Sequence, residues 1–325
     1  MDLIETDGRV QNRKLSIGEK RMRNKCQEIL LIPDEILIKR FEEDPKFVPN
    51  DYEYPRPGKD PGLIVIFNQQ KFEKFEERLG TNRDVNELIL TLGRLGYNIE
   101  EEFIYNDLPK KDVLDKLSDL SKRDFSNRNS LIVIFLSHGT KNNVLRTYDE
   151  PIFAHEIWGP FSNSNCSWFR EKPKLFIFQA CKGSLFSKVD ERNIEVYPED
   201  LFSMPLEPDM VIAFAAVEGS VSNRHISRGT WFIQELCRNL NAYGRRDDVL
   251  SILIRTTKCV VHNYYNIDEN SQLIKQIPLF ISTLSRKFYL GVGKDRCALA
   301  WITENQKEIL RRIQTLECTS TNVIQ

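Results

Sequence analysis

The stretch SLIVIFLSHG, residues 130–139, decides the fold. Six apolar residues in a row, Leu131 to Leu136, run straight into Ser-His-Gly. A strand exposed on one face alternates apolar with polar residues, whereas a strand covered on both faces reads as a continuous apolar run. Three further stretches have this character: LIVIF (63–67), KLFIFQAC (174–181) and DMVIAFAAVEG (209–219). Between and after them lie segments of helical spacing. RDVNELILTLGRLG (83–96) has apolar residues at 85, 88, 92 and 95, and KDVLDKLSDLSKRD (111–124) has them at 113, 114, 117 and 120. TWFIQELCRNLNAYG (230–244) and DDVLSILIRTTKCVV (247–261) predict two more helices, and IPLFISTL (277–284) and RKFYL (286–290) two more strands. Short buried strands alternating with amphipathic helices predict an α/β fold of three layers, a mostly parallel sheet of six strands with helices on both faces.

The chain has 325 residues, 41% hydrophobic and 29% charged, with a formal net charge of −1. Near-neutral charge argues against nucleic acid or an anionic membrane as the main partner. The longest apolar run, VIAFAAV (211–217), falls far short of the roughly 20 residues of a membrane span. The start, MDLIETDGRV, has no apolar core of the kind that marks a signal peptide, so the expected address is cytoplasmic. Seven cysteines (26, 166, 181, 237, 259, 297 and 318) are scattered without a CxxC, which disfavours a structural zinc site and predicts free thiols in a reducing compartment. No cofactor and no metal is expected.

In sheets of this kind, sites gather at the carboxyl ends of the strands. Two strands end in reactive groups: His138 follows one and Cys181 another, with Gly139 and Gly183 close behind. If those strands are neighbours, the thiol and the imidazole form a couple able to supply thiolate near neutral pH and to protonate a leaving amine. The backbone N–H groups of Gly139 and Cys181 are then the natural donors to an oxyanion. On pattern alone, a small core cysteine and a structural histidine remain equally open.

These residues carry a resemblance. Ser-His-Gly after an apolar strand, and QACKG with Cys181 43 residues after His138, is similar to the caspase family of cysteine proteases. Lys182 stands where the signature takes Arg, Gln or Gly; it keeps a positive charge but lacks the planar fork of arginine. RLGTNRDVNEL (78–88) and SNRHISRGTWFIQELC (222–237) resemble further family segments. The resemblance implies that Arg78, Gln179 and Arg224 converge on one substrate cavity. Two guanidiniums and an amide fit a short carboxylate, so the implied substrate is a protein cut after aspartate. A cationic side chain would be repelled there, which disfavours a lysine- or arginine-specific relative. Trp231 is implied as a wall of the pocket for the fourth residue upstream of the cut. Many effector caspases carry an aromatic residue just before the pocket arginine, where this chain has Asn223, preceded by Ser222. The second pocket is therefore expected to be more open or polar, with Tyr264 or Tyr265 as a substitute aromatic.

The resemblance covers residues 52 to 290 and suggests an effector-like organisation: a short N-terminal arm (1–51), a large subunit (52–183), an intersubunit linker (184–204), a small subunit (205–290) and a helical C-terminal extension (291–325). The arm is basic at Arg9, Arg13, Lys14, Lys20, Arg21, Arg23 and Lys25, and a helix near 18–31 is expected there. About 50 residues are too few for the death-fold domain of initiator caspases. Family membership further implies a proenzyme cut after Asp, a homodimer of processed subunit pairs joined across the last strand, an upstream initiator caspase, and inhibitor-of-apoptosis proteins as partners. Candidate processing sites are Asp7 in IETD, Asp190 in SKVD and Asp200 in YPED; Asp209, at the start of the next strand, is expected to be inaccessible. The rival reading is a non-catalytic homologue that regulates other caspases by binding.

Overall fold

Three hexapeptide strands set the architecture: β1 (Leu63–Asn68), β3 (Leu131–Leu136) and β6 (Lys174–Gln179), every residue of which is buried. They lie side by side and parallel, with Leu63 paired to Leu131 and Leu131 to Lys174. The short β2 (Ile104–Asn106) extends the sheet beyond β1, and β7 (Met210–Phe214) extends it beyond β6, both parallel. The last strand of the sheet, β12 (Leu279–Ser282), runs antiparallel to β7, giving the order β12-β7-β6-β3-β1-β2. The computed structural model describes residues 52–58, 60–182, 207–217, 224–225, 229–267 and 273–291.

Because side chains alternate across a strand, each run divides between two faces. Ile64, Ile66, Ile132, Ile134, Leu175 and Ile177 pack beneath three helices, α1 (Thr81–Arg94), α4 (Trp231–Tyr243) and α5 (Val249–Asn263). Leu63, Val65, Phe67, Val133, Phe135, Phe176 and Phe178 pack on the other face against α2 (Lys110–Lys122) and the short α3 (Ala154–Trp158). The three-layer reading therefore holds. Among the described residues, three two-stranded pieces lie outside the main sheet: β4 (Val144–Arg146) with β5 (Pro151–Phe153), β8 (Arg224–His225) with β9 (Gly229–Thr230), and β10 (Asn266–Ile267) with β11 (Leu273–Ile274).

One expected strand is corrected. RKFYL does not form a sheet strand; it makes a single bridge, Lys287 to Glu53, while Phe288 and Leu290 insert into the core. Apolar alternation there reflects anchoring of a terminal segment rather than strand pairing. The helices expected near 18–31 and in the C-terminal extension lie outside the described residues, as does the 184–204 linker.

Candidate active site

The parallel register brings the two reactive groups to one edge. Leu136 and Gln179 are partners at the ends of β3 and β6, and the Ser137 N–H continues the pairing by donating to the Gln179 carbonyl at 3.1 Å. His138 and Cys181 each follow two residues beyond that pair, so the imidazole and the thiol start from neighbouring strand ends. Cys181 is half-buried, as is His138. Gly139 lies tight against the Cys181 segment: a Cβ on it would stand 2.6 Å from the Cys181 carbonyl oxygen and 2.8 Å from the Ala180 Cβ. Only glycine allows the two backbones this close approach.

His138 Nε2 lies 2.9 Å from the carbonyl oxygen of Glu76. A carbonyl only accepts, so this contact places a proton on Nε2, and any proton exchange with a thiol falls to Nδ1. The ring also packs against Phe72, with centroids 4.8 Å apart, and Phe75, at 6.3 Å. Neither the Glu76 carbonyl nor this aromatic pair is visible in the sequence, since a backbone atom has no residue signature and the loop has no periodicity.

Arg78 is 2% exposed, which removes the surface ion pair as its explanation. Its guanidinium donates to the Gln69 carbonyl at 3.0 Å and to Thr81 Oγ1 at 2.9 Å, just beyond the end of β1. Gln69 in turn donates its N–H to the Leu136 carbonyl at 2.8 Å, so Arg78 hangs on the strand beside β3. Gln179 closes β6 and is buried. Arg224 lies on β8 opposite Thr230 of β9. The Thr230 N–H donates to Asp84 Oδ1 of α1 at 2.8 Å, and Gly229 adopts φ 90°, where a Cβ would meet that same oxygen at 2.4 Å. The Arg224 strand is thus tied to the first turn of the helix whose Thr81 receives Arg78, so three distant segments meet at one corner.

Trp231 opens α4 and stacks on Tyr264, with centroids 5.0 Å apart. The Tyr264 hydroxyl donates to the buried Glu235 at 2.7 Å, and burial, followed by that carboxylate, pushes its pKa up to about 12. Of the two tyrosines considered as a substitute aromatic, Tyr264 is the one against Trp231; Tyr265 is exposed. Lys182 is buried, its Nζ 3.3 Å from the Phe214 ring centroid and 2.5 Å from Asn143 Oδ1. A cation–π contact therefore settles the charge at this signature position.

Ser222, Asn223, Asp7, Asp190 and Asp200 lie outside the described residues. Asp209 is buried as expected, receiving the Tyr54 hydroxyl at 2.6 Å and the Ser285 hydroxyl at 2.7 Å. Among the described residues, no cluster of three or more His, Cys, Asp or Glu side chains is placed to hold a metal, and no helix is long and apolar enough to cross a membrane.

Comparison with known proteins gives the family. The profile of the caspase domain matches residues 61–289. Caspase-6 of Gallus gallus is 33% identical over 247 residues, covering 70% of this chain and 80% of its own length. Caspase-3 of Oryctolagus cuniculus is 29% identical over 286 residues, covering 86% of this chain and 99% of its own. Among solved structures, caspase-1 from Spodoptera frugiperda superposes with a TM-score of 0.65 at 28% identity, covering 75% of this chain and 95% of that one. With a family profile spanning most of the chain and a strand-end Cys–His arrangement on the matching fold, the protein belongs to the caspase family of cysteine peptidases.

Proposed function

We propose that the protein is an aspartate-specific endopeptidase of effector type, made as a proenzyme and activated by cleavage after Asp. The observation that carries this reading is the β3–β6 register, which starts His138 and Cys181 from adjacent strand ends beside a buried Arg78. In the proposed reaction the Cys181 thiolate attacks the carbonyl carbon of the substrate Asp, and the oxygen that gains negative charge is held by the N–H groups of Gly139 and Cys181. The C–N bond breaks as His138 gives its proton to the departing amine. His138 then takes a proton from water, whose oxygen attacks the thioester and returns the thiolate. Arg78, Gln179 and Arg224 bind the Asp carboxylate, with Trp231, Ser222 and Asn223 along the upstream substrate residues. A neutral or cationic side chain in that pocket would leave the buried Arg78 guanidinium without an anionic partner, at a cost of about 1–3 kcal/mol or more.

The same reading gives a homodimer. β12 is the edge of the sheet, and Leu279 on it and the adjoining Ile277 are exposed large apolar residues. An exposed apolar edge strand favours pairing with a second copy. Processing after Asp190 or Asp200, removal of the arm at Asp7, a cytoplasmic site of action, activation by an initiator caspase and restraint by inhibitor-of-apoptosis proteins complete the proposal.

The test compares wild type with Cys181→Ala on matched fluorogenic peptides ending in Asp, Glu, Asn and Lys. Cleavage confined to the Asp peptide and lost in the variant is the expected result. A linker-cut dimer that cleaves none of them would make the binding-regulator reading the better one.

A further inference from the structure

The loop between β1 and α1 carries three things at once. Its last part supplies Arg78, its Glu76 carbonyl receives His138 Nε2 at 2.9 Å, and its Phe72 and Phe75 lie against the imidazole at 4.8 and 6.3 Å. The two rings meet each other edge to face at 6.2 Å, and Phe75 has the Arg146 guanidinium 4.7 Å from its centroid. Arg146 is itself buried, and its N–H donates to the His138 carbonyl at 3.0 Å. The aromatic pair is therefore wedged between the histidine and the β4–β5 hairpin.

The loop is also pinned at several points. Gln70 and Lys71 N–H groups donate to Asp107 Oδ1 at 2.6 and 2.8 Å, the Glu73 N–H to the Tyr148 carbonyl at 2.8 Å, and the Arg78 N–H to the Gln70 carbonyl at 2.8 Å. These bonds tie the loop to the segments around Asp107 and Tyr148 and join its two ends.

We infer that Phe72 and Phe75 are positioning residues for His138: they hold the imidazole in the plane where Nε2 meets the Glu76 carbonyl, and they join its placement to that of Arg78 through one pinned loop. This rests on the reading of His138 as the proton-transfer group. Ring contacts with Phe72 and Phe75 together with the hydrogen bond to the Glu76 carbonyl define the ring orientation more narrowly than that bond does by itself. The aromatic faces also favour the imidazolium form, the one that protonates the leaving amine. Charged and titratable residues on the elements next to the ring are Cys181 beyond β6, Arg146 on β4, and Lys71, Glu73, Lys74, Glu76, Glu77 and Arg78 on the loop. Substituting Phe72 changes none of them.

Phe72→Leu keeps apolar bulk and removes the ring. The expected result on the Asp peptide is a kcat lowered roughly tenfold or more with KM within about twofold, because orientation and not binding is lost. The alkaline limb of the kcat/KM profile should move down by about half a pH unit, and Phe72→Tyr should restore both. Where Phe72→Leu does not fold, Phe75→Leu carries the test and should show the same split. Wild-type kinetics and pH profile in these variants, with wild type active and Cys181→Ala dead, would overturn the inference and leave the proteolytic function standing. An inactive wild type would remove both.

Discussion

At the scale of single residues, the site is a set of close backbone approaches with a few reactive side chains inserted. Gly139 and Cys181 illustrate this, since the first has room for nothing beyond hydrogen. Environment then separates one cysteine from others. Burial raises the pKa of Cys166, and it pushes that of Cys237 up to about 12, whereas Cys181 is only half-buried at a strand end beside His138. Thiolate is the nucleophile, so a raised pKa slows alkylation and burial blocks access as well. With substoichiometric iodoacetamide near pH 7.5, peptide mapping should find carbamidomethyl on Cys181 well before Cys166 or Cys237. Earlier labelling of either buried thiol would contradict the picture of Cys181 as the activated one. That Cys181, His138 and Gly139 follow buried strands was legible because apolar runs mark those strands, while their roles were read from the family resemblance. The Glu76 carbonyl was not, because only the folded loop turns that backbone atom toward the ring.

At the scale of elements, the corner where α1 meets β9 deserves a test of its own. Asp84 accepts the Thr230 N–H at 2.8 Å from a position 146 residues earlier in the chain, and Gly229 takes a left-handed φ of 90° to allow it. One turn back on the same helix, Thr81 receives Arg78, while Arg224 is the register partner of Thr230. Asp84→Ala removes a buried acceptor and should lower stability by about 1–3 kcal/mol. KM for the Asp peptide should rise, because the two segments proposed to bind the carboxylate lose their common tie, while kcat changes less. Asp84→Asn retains an oxygen acceptor and should fall between. Unchanged KM in a folded Asp84→Ala would show that this tie does not set the pocket. The long elements here were legible from periodicity: α1, α4 and α5 begin and end within two residues of the expected spans. Short pieces were not. β2, the three residues Ile-Tyr-Asn, and the two-residue β8 and β9 are too brief to express a period and exist because neighbours hold them.

At the scale of the whole domain, a polar corner ties its two ends together. The Tyr54 hydroxyl donates to Asp209, the Ser285 hydroxyl donates to the same oxygen, and the Ser285 N–H returns to Tyr54 Oη at 3.0 Å. The Tyr54 N–H also donates to the Lys287 carbonyl at 3.2 Å. If the linker is cut as proposed, Tyr54 lies in the large subunit and Asp209 and Ser285 in the small one, so this corner would help keep the halves joined. Tyrosine ionisation then becomes a stability term. Burial first, and then the Asp209 carboxylate, pushes the Tyr54 pKa up to about 12, and burial does the same to Tyr97, which is 4% exposed. A folded pKa above the unfolded value near 10 means that the neutral phenol is favoured in the folded state. Its contribution is complete below pH of about 10 and is lost as pH rises through about 12. For the fully enclosed Tyr97, two units correspond to roughly 3 kcal/mol. Urea unfolding between pH 8 and 11.5 should therefore give stability nearly flat to about pH 10 and falling steeply beyond it. Tyr97→Phe should flatten the fall by about one proton's worth of slope, whatever its effect on stability at neutral pH. Equal slopes in wild type and variant would mean that Tyr97 ionises as easily in the folded chain as in the unfolded one, and that the enclosure seen around it opens in solution.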